Sequence, residues 1–454
     1  SDVVERNVIS GNEYYGIHVS GATTSGNVIA GNYVGLKADG LVPLWNGFAG
    51  IRLTSETHHN RVGTDNSNDA NNASERNVVA GGTASIDIST AHDNVIAGNY
   101  VGLTADGVSG LSSNFGILVA AGSKRNRIGT DGIGPANERE RNVIGSDTAF
   151  GRIYVGDAGT DDTVIAGNYI GLNAAGTSSA AYSNKGVVIA NGAKRTVIGT
   201  EGDGVNDSDQ RNVITSNGTG LLVTGVGTTD TVIAGNYIGV QPDGLTGYGN
   251  TITLEVSGGA QKTRIGTDGS NDAFNVNERN LLCSGGFGVL LSQTSDVVIA
   301  GNYIGVAANG TKVLQHNTYG IRVSNQVTGL RIGTDGNGVA DSVEGNVISG
   351  NQSGLQLYNW DIMDLATADK LLSGAILSTT ATATIPQADL TIAAGGVAGN
   401  WGNNHLLPGR GGNYFAFRAT GVLKVSTAGD YTVAMSADRG GRLLIDGAVS
   451  YTHL

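Results

Sequence analysis

The chain has 454 residues, more than an ordinary single domain, yet only 39% are hydrophobic while Gly supplies 73 and Pro only 5; a repeat architecture escapes the size limit on a single core. Its 39 acidic against 27 basic residues leave a net charge of −12, which argues against nucleic acid or an anionic membrane as partner, since both reward basic patches. A single cysteine excludes a disulfide framework, and the sequence contains no apolar run long enough for a transmembrane helix.

Three short phrases recur in fixed order from the first residues onward. The first is "GIHV" at Gly16, repeated as "GIRL" at Gly50, "GILV" at Gly116 and "GIRV" at Gly320. The second is "NVIAG" or "NRIGTDG". The third is "GNYIGL" or "ERNVIS". Each alternates apolar with polar residues between Gly or Asn, which predicts strands, and no stretch carries a helical apolar period. The apolar lead of the first phrase falls at Ile17, Ile51, Ile86, Ile117, Ile153, Val187, Leu221, Ile252, Val289, Ile321 and Leu355, which is (355 − 17)/10, about 34 residues per unit. Three strands in a unit of that length make one coil of a parallel β-helix, in which each strand pairs with its equivalent one coil above and below.

The stretch "VIAGNY" begins at Val28, Val95, Val164, Val232 and Val298, in steps of 67, 69, 68 and 66. Two kinds of coil therefore alternate, with long turns such as "KADGLVPLWNGFA" on one and "GTDGNGVADSVEGN" on the other. In both kinds the third phrase reads Asn-x-apolar, with Asn7, Asn32, Asn77, Asn99, Asn142, Asn168, Asn212, Asn236, Asn280, Asn302 and Asn346 on successive coils. Stacked inward Asn side chains can bond to one another along the axis, so an asparagine ladder is expected.

With this "GIxV…NxI…NxI" spacing, residues 1–358 resemble the right-handed parallel β-helix repeat proteins, and in particular large bacterial surface or secreted proteins with "VIAGNYIG" and "IGTDGDGVND" repeats. The resemblance implies an all-β, right-handed, three-stranded parallel solenoid of pectin-lyase-like fold and a secreted or cell-surface location. Its family covers pectin- and alginate-active enzymes, adhesins, phage tailspikes and structural stalks. The chain opens at Ser1 inside a repeat, which reads as a fragment of a longer protein.

A β-strand displays alternate residues outward, so each outward column of the coils can carry chemistry. The first strand displays His18, Arg52, Asp87, Leu118, Tyr154, Val188, Leu222, Thr253, Leu290, Arg322 and Gln356. His18, Arg52 and Asp87 fall on three consecutive rungs as a candidate acid–base trio, with a surface ion pair as the plainer reading. The second strand displays Arg61, Arg127, Arg264 and Arg331 between valines, each followed within four residues by an Asp. The turn holding Asp335, Asn337 and Asp341 spaces oxygen ligands compatibly with calcium, although Asx-rich turns look alike without metal. Cys283 is expected to face outward. Tyr33, Tyr100, Tyr169, Tyr237 and Tyr303, the middle residues of Asn-x-apolar on every second coil, are candidates for stacking on an extended polysaccharide or cell-surface glycan.

After Tyr358 the repeat stops. Residues 359–395 read as a linker or the start of the next module, and residues 396–454 as a truncated antiparallel β-sandwich. Gly429, Tyr431, Asp438, Gly440, Leu443 and Asp446 carry a resemblance to the protective-antigen-type, lectin-like module. Taken together, these features favour a non-catalytic stalk or adhesin in contact with carbohydrate. The runner-up is a polysaccharide-active lyase or hydrolase with unrecognised catalytic residues, and a purely structural rod is a third reading.

Overall fold

The computed structural model describes residues 6–358, apart from 66, 68–71, 284 and 315–317, together with the strands Gly441–Ile445 and Ala448–His453. The chain divides into two compact units, Ser1–Leu357 and Tyr358–Leu454. Within the second unit the two described strands, Gly441–Ile445 and Ala448–His453, pair antiparallel. The linker at 359–395, and Gly429, Tyr431, Asp438, Gly440 and Asp446 of the sandwich reading, lie outside the described residues.

The first unit is an all-β solenoid of about ten coils, built from three parallel sheets. Sheet 1 has eleven two-residue strands, from Val8–Ile9 to Val347–Ile348. Sheet 2 has eleven longer strands, from Tyr15–Ser20 to Ser353–Tyr358, and sheet 3 has ten, from Val28–Ile29 to Arg331–Ile332. Every third strand in chain order is a neighbour in its sheet, so each coil adds one strand to each sheet. The leads Ile51, Ile86, Ile117, Ile153, Val187, Leu221, Val289 and Ile321 are fully buried inside.

One lead moves. Leu221 pairs with Leu254 and Leu222 with Glu255, so Leu254 is the core residue in place of Ile252, and Glu255 takes the outward place expected for Thr253, which is buried. Alternation cannot detect a slip of two residues, because a slip of two keeps every side chain on its face. The landmark that would have fixed the register, the glycine preceding the lead, is here Thr253.

The asparagine ladder has eleven rungs, one beside each strand of sheet 1. Each side-chain amide donates to the next carbonyl oxygen, at 2.9–3.1 Å, from Asn7 to Asn346. A second, shorter ladder at the start of sheet 3 links Asn27, Asn60, Asn94 and Asn126 at 2.9–3.1 Å. Glycine is required where sheet 3 turns toward the first ladder: Gly63, at φ 103°, has no room for a Cβ, which would collide with the carbonyl of Ala97 and the side chain of Asn99. This accounts for the Gly-Thr that closes "RVGT", "RIGT" and "VIGT", with the same close approach at Gly129, Gly199 and Gly266.

The long turns stack on their own kind, two coils apart. On one corner Ala105 N donates to Gly40 O, Ala174 N to Gly107 O and Ala308 N to Gly244 O. On the other, Asn206 Nδ2 donates to Gly132 O, and Asn277 Nδ2 to Asp207 Oδ2.

Candidate active site

Sheet 2 carries an outward column with mixed charge near the first coils. Its strands put His18, Arg52 and Asp87 side by side as Cα partners on consecutive rungs. Arg52 is the hub. Its Nη1 donates to the Tyr15 hydroxyl at 2.6 Å, and its Nε lies 3.2 Å from Asp87 Oδ2. The guanidinium carbon sits 5.1 Å from the ring centroids of both Tyr15 and Phe48. Tyr15 in turn lies 4.7 Å from the His18 imidazole and 5.6 Å from Phe48, centroid to centroid.

Asp87 is only 1% exposed. Burial pushes its carboxyl above the ordinary carboxylate range, opposed by a hydrogen bond from Ser89 Oγ at 2.6 Å and by the charges of Arg52 and His18. The cluster thus holds an exposed imidazole, a phenol whose oxygen already accepts a bond and whose proton remains to be donated, and a cation fixed by a buried carboxylate. Tyr15 and Phe48 escaped the reading of the sequence. The signal for Tyr15 was its place at the head of "YGIHV", three residues before His18.

The five tyrosines on sheet 1 do alternate with aliphatic rungs, as in Val8, Tyr33, Val78 and Tyr100. Each is half-buried, and each ring lies under an arginine of the preceding coil. Arg6, Arg76, Arg141, Arg211 and Arg279 sit 4.1–4.3 Å from the centroids of Tyr33, Tyr100, Tyr169, Tyr237 and Tyr303. The turn glycines Gly40, Gly107, Gly176, Gly244 and Gly310 pack against the same rings. A sugar stacking on this column would have to displace the guanidinium groups.

On sheet 3 the outward arginines pair with the turns, chiefly with a glutamate that the sequence reading passed over. Arg127, Arg264 and Arg331 meet Glu140, Glu278 and Glu344 at 2.9, 2.6 and 2.7 Å, while Arg127 reaches Asp131 only at 3.6 Å. Asp335, Asp341 and Glu344 bring carboxylate oxygens within 4.8 Å of one another and are the described residues that could hold a hard cation. Asn337 instead donates to Asp335 Oδ2 at 3.0 Å. Every one of the six carboxylate oxygens there accepts a hydrogen bond from within the coil.

Cys283 does not face solvent as expected. It is fully buried among Val240, Leu281, Ala307 and Leu314, and its Sγ donates to Val306 O. The outer side of sheet 1 is roofed by the long turn after Ile304, and burial pushes the thiol up to about 12, so it is no nucleophile.

No family model matches the chain, and no curated protein matches it. Among solved structures it is similar to an alginate lyase from Paenibacillus sp. str. FPU-7, at 12% identity over 76% of this chain and 99% of that one, with a TM-score of 0.26. It is also similar to the A-module of the Azotobacter vinelandii mannuronan C-5 epimerase AlgE6, at 13% identity over 78% and 87%, TM-score 0.28. A third is a hyper-glycosylated TibA fragment, at 10% identity over 78% and 98%, TM-score 0.20. At such identities the likeness concerns the coiled fold. Two of the three are enzymes by name, against the expectation that the chain is no enzyme.

Proposed function

We propose that the chain is a polysaccharide-active enzyme, that its substrate is a uronate-containing glycan, and that its reaction is β-elimination at Tyr15, His18, Arg52 and Asp87. The observation that carries this reading is the Arg52 guanidinium, fixed between the Tyr15 hydroxyl and a buried Asp87 beside an exposed imidazole. Elimination needs three groups on one face. A base removes the proton from the carbon bearing the carboxylate, and that electron pair becomes the new double bond. The neighbouring carbon–oxygen bond breaks, and the departing oxygen takes a proton from an acid. A cation meets the charge that builds on the carboxylate meanwhile. His18 is the proton acceptor, Tyr15 the donor and Arg52 the cation, with Asp87 as the positioning residue for Arg52.

Hydrolysis by paired carboxylates fits this face less well. From Asp87 the column runs through Leu118, Tyr154, Val188 and Leu222 before it reaches Glu255. Five rungs of ~4.8 Å make a gap of roughly 24 Å, against the ~5–9.5 Å that glycosidase pairs span. A secreted or cell-surface location goes with this reading.

The test is incubation with a panel of polyuronates, alginate among them, followed by ultraviolet absorbance of the unsaturated product. We expect product from the parent chain and rates lower by about 10²–10⁴ for Tyr15→Phe and for His18→Ala. If the parent forms no unsaturated product from any member of the panel, the reading is wrong.

A further inference from the structure

The surroundings of Arg52 recur at the far end of the same sheet. Phe287 and Tyr319 are Cα partners on adjacent rungs, and their rings stack at 5.7 Å with an interplanar angle of 13°. The Arg322 guanidinium carbon lies 5.3 and 5.5 Å from the two centroids, against 5.1 Å to both rings at Arg52. All three residues are half-buried, so each keeps part of its surface open to solvent. Arg322 stands in the outward column of Arg52, eight rungs on, or roughly 38 Å at ~4.8 Å per rung. The acid–base groups, however, do not recur. Where Arg52 has His18 on the preceding rung, Arg322 has Leu290, and the nearest carboxylate before it in the column, Glu255, is two rungs away.

We infer that Phe287, Tyr319 and Arg322 form an anchoring subsite for the same acidic polysaccharide, binding it without turning it over. Flat aromatic surface suits the apolar face of a sugar ring, and a guanidinium suits its carboxylate. Between the two platforms the column shows Leu118, Tyr154, Val188 and Leu222, with no charge to repel a polyanion until Glu255. One extended chain laid along sheet 2 would engage both ends. The second contact is then intramolecular and raises avidity without a new binding partner. The identity of the ligand rests on the function proposed above; the bipartite geometry does not.

The experiment is calorimetric titration of the whole chain with polyuronate fragments of graded length. Affinity should step up once fragments exceed roughly 38 Å, by about a hundredfold, and the step should vanish in Arg322→Gln and in Phe287→Ala/Arg322→Gln. Two substitutions guard against misfolding, and unchanged circular dichroism is required of each. No step in the parent, or a step that survives in both variants, overturns the inference; so does an equal step with neutral glycan fragments of the same lengths. If no polyuronate is cleaved yet the step appears and depends on Arg322, the anchor stands and the elimination reading falls.

Discussion

Within the repeats, the sheet 3 arginine and the turn glutamate change together. Four long-turn coils carry Arg61 with Glu75, Arg127 with Glu140, Arg264 with Glu278 and Arg331 with Glu344. In the remaining one the arginine is Val197 and the carboxylate is Gln210, whose Oε1 accepts the same turn amide, Glu201 N, at 3.1 Å. Glu140, Glu278 and Glu344 are at most 2% exposed, and burial raises the carboxyls of Glu140 and Glu278 despite the adjacent arginines. A carboxylate so placed needs its guanidinium; an amide does not. Arg264→Val should therefore cost about 3–5 kcal/mol, the usual result of orphaning a buried charge, and Glu278→Gln on top of it should recover most of that loss in a denaturant titration. Equal stability of the single and double variants would contradict this pairing.

Asp87 gives a second test at the same scale. Its folded-state carboxyl titrates above the ordinary 3.8, so between that value and its raised one the folded chain binds more protons than the unfolded, and the residue costs stability as pH rises. Asp87→Asn removes that slope. Measured by denaturation from about pH 4 to 7, the variant should gain on the parent as pH rises; a constant or shrinking difference would place the raised carboxyl elsewhere.

Among elements, the asparagine ladder and the three strand phrases could be read directly from the sequence, because identical side chains at one coil's spacing leave little choice of register. What alternation could not supply was the roof over a sheet. Cys283 and the five tyrosines alternate outward as expected, but turns or arginines from another coil cover them. Tyr15 was missed for a related reason: its role comes from Arg52, 37 residues away in sequence. The start of sheet 3 illustrates how a ladder can be relaxed. After Asn126 its inward column continues as Thr163, Thr196, Thr231 and Thr263 and then Val297, each giving its carbonyl to the next coil. Those four threonine hydroxyls are buried without a hydrogen bond. Thr196→Val, nearly isosteric, should then be neutral or stabilising by up to about 1–2 kcal/mol, because it removes an unsatisfied polar group. A loss of more than ~1 kcal/mol on denaturation would mean that the hydroxyl has a partner.

Over the whole solenoid, coils meet only their neighbours through the sheets, which makes stability nearly a sum of local terms. The turns add a second, longer period, because each kind bonds to its own kind two coils away. The structural unit is therefore the 68-residue pair, not the 34-residue coil. Excising residues 164–231 joins Thr163 to Val232, restores the spelling "TVIAGNYIG" across the junction, and brings the turn at Gly107 onto that at Gly244 and the turn at Gly132 onto that at Asp268. Excising only 164–196 joins Thr163 to Val197 and sets two acidic turns on adjacent coils, at roughly half the ~9.6 Å spacing they otherwise keep. Although it removes fewer residues, the shorter deletion should lower the thermal midpoint more and broaden the transition, while the longer one keeps a single cooperative melt by circular dichroism. The reverse order would show that turn stacking contributes little and that the single coil is the folding unit after all.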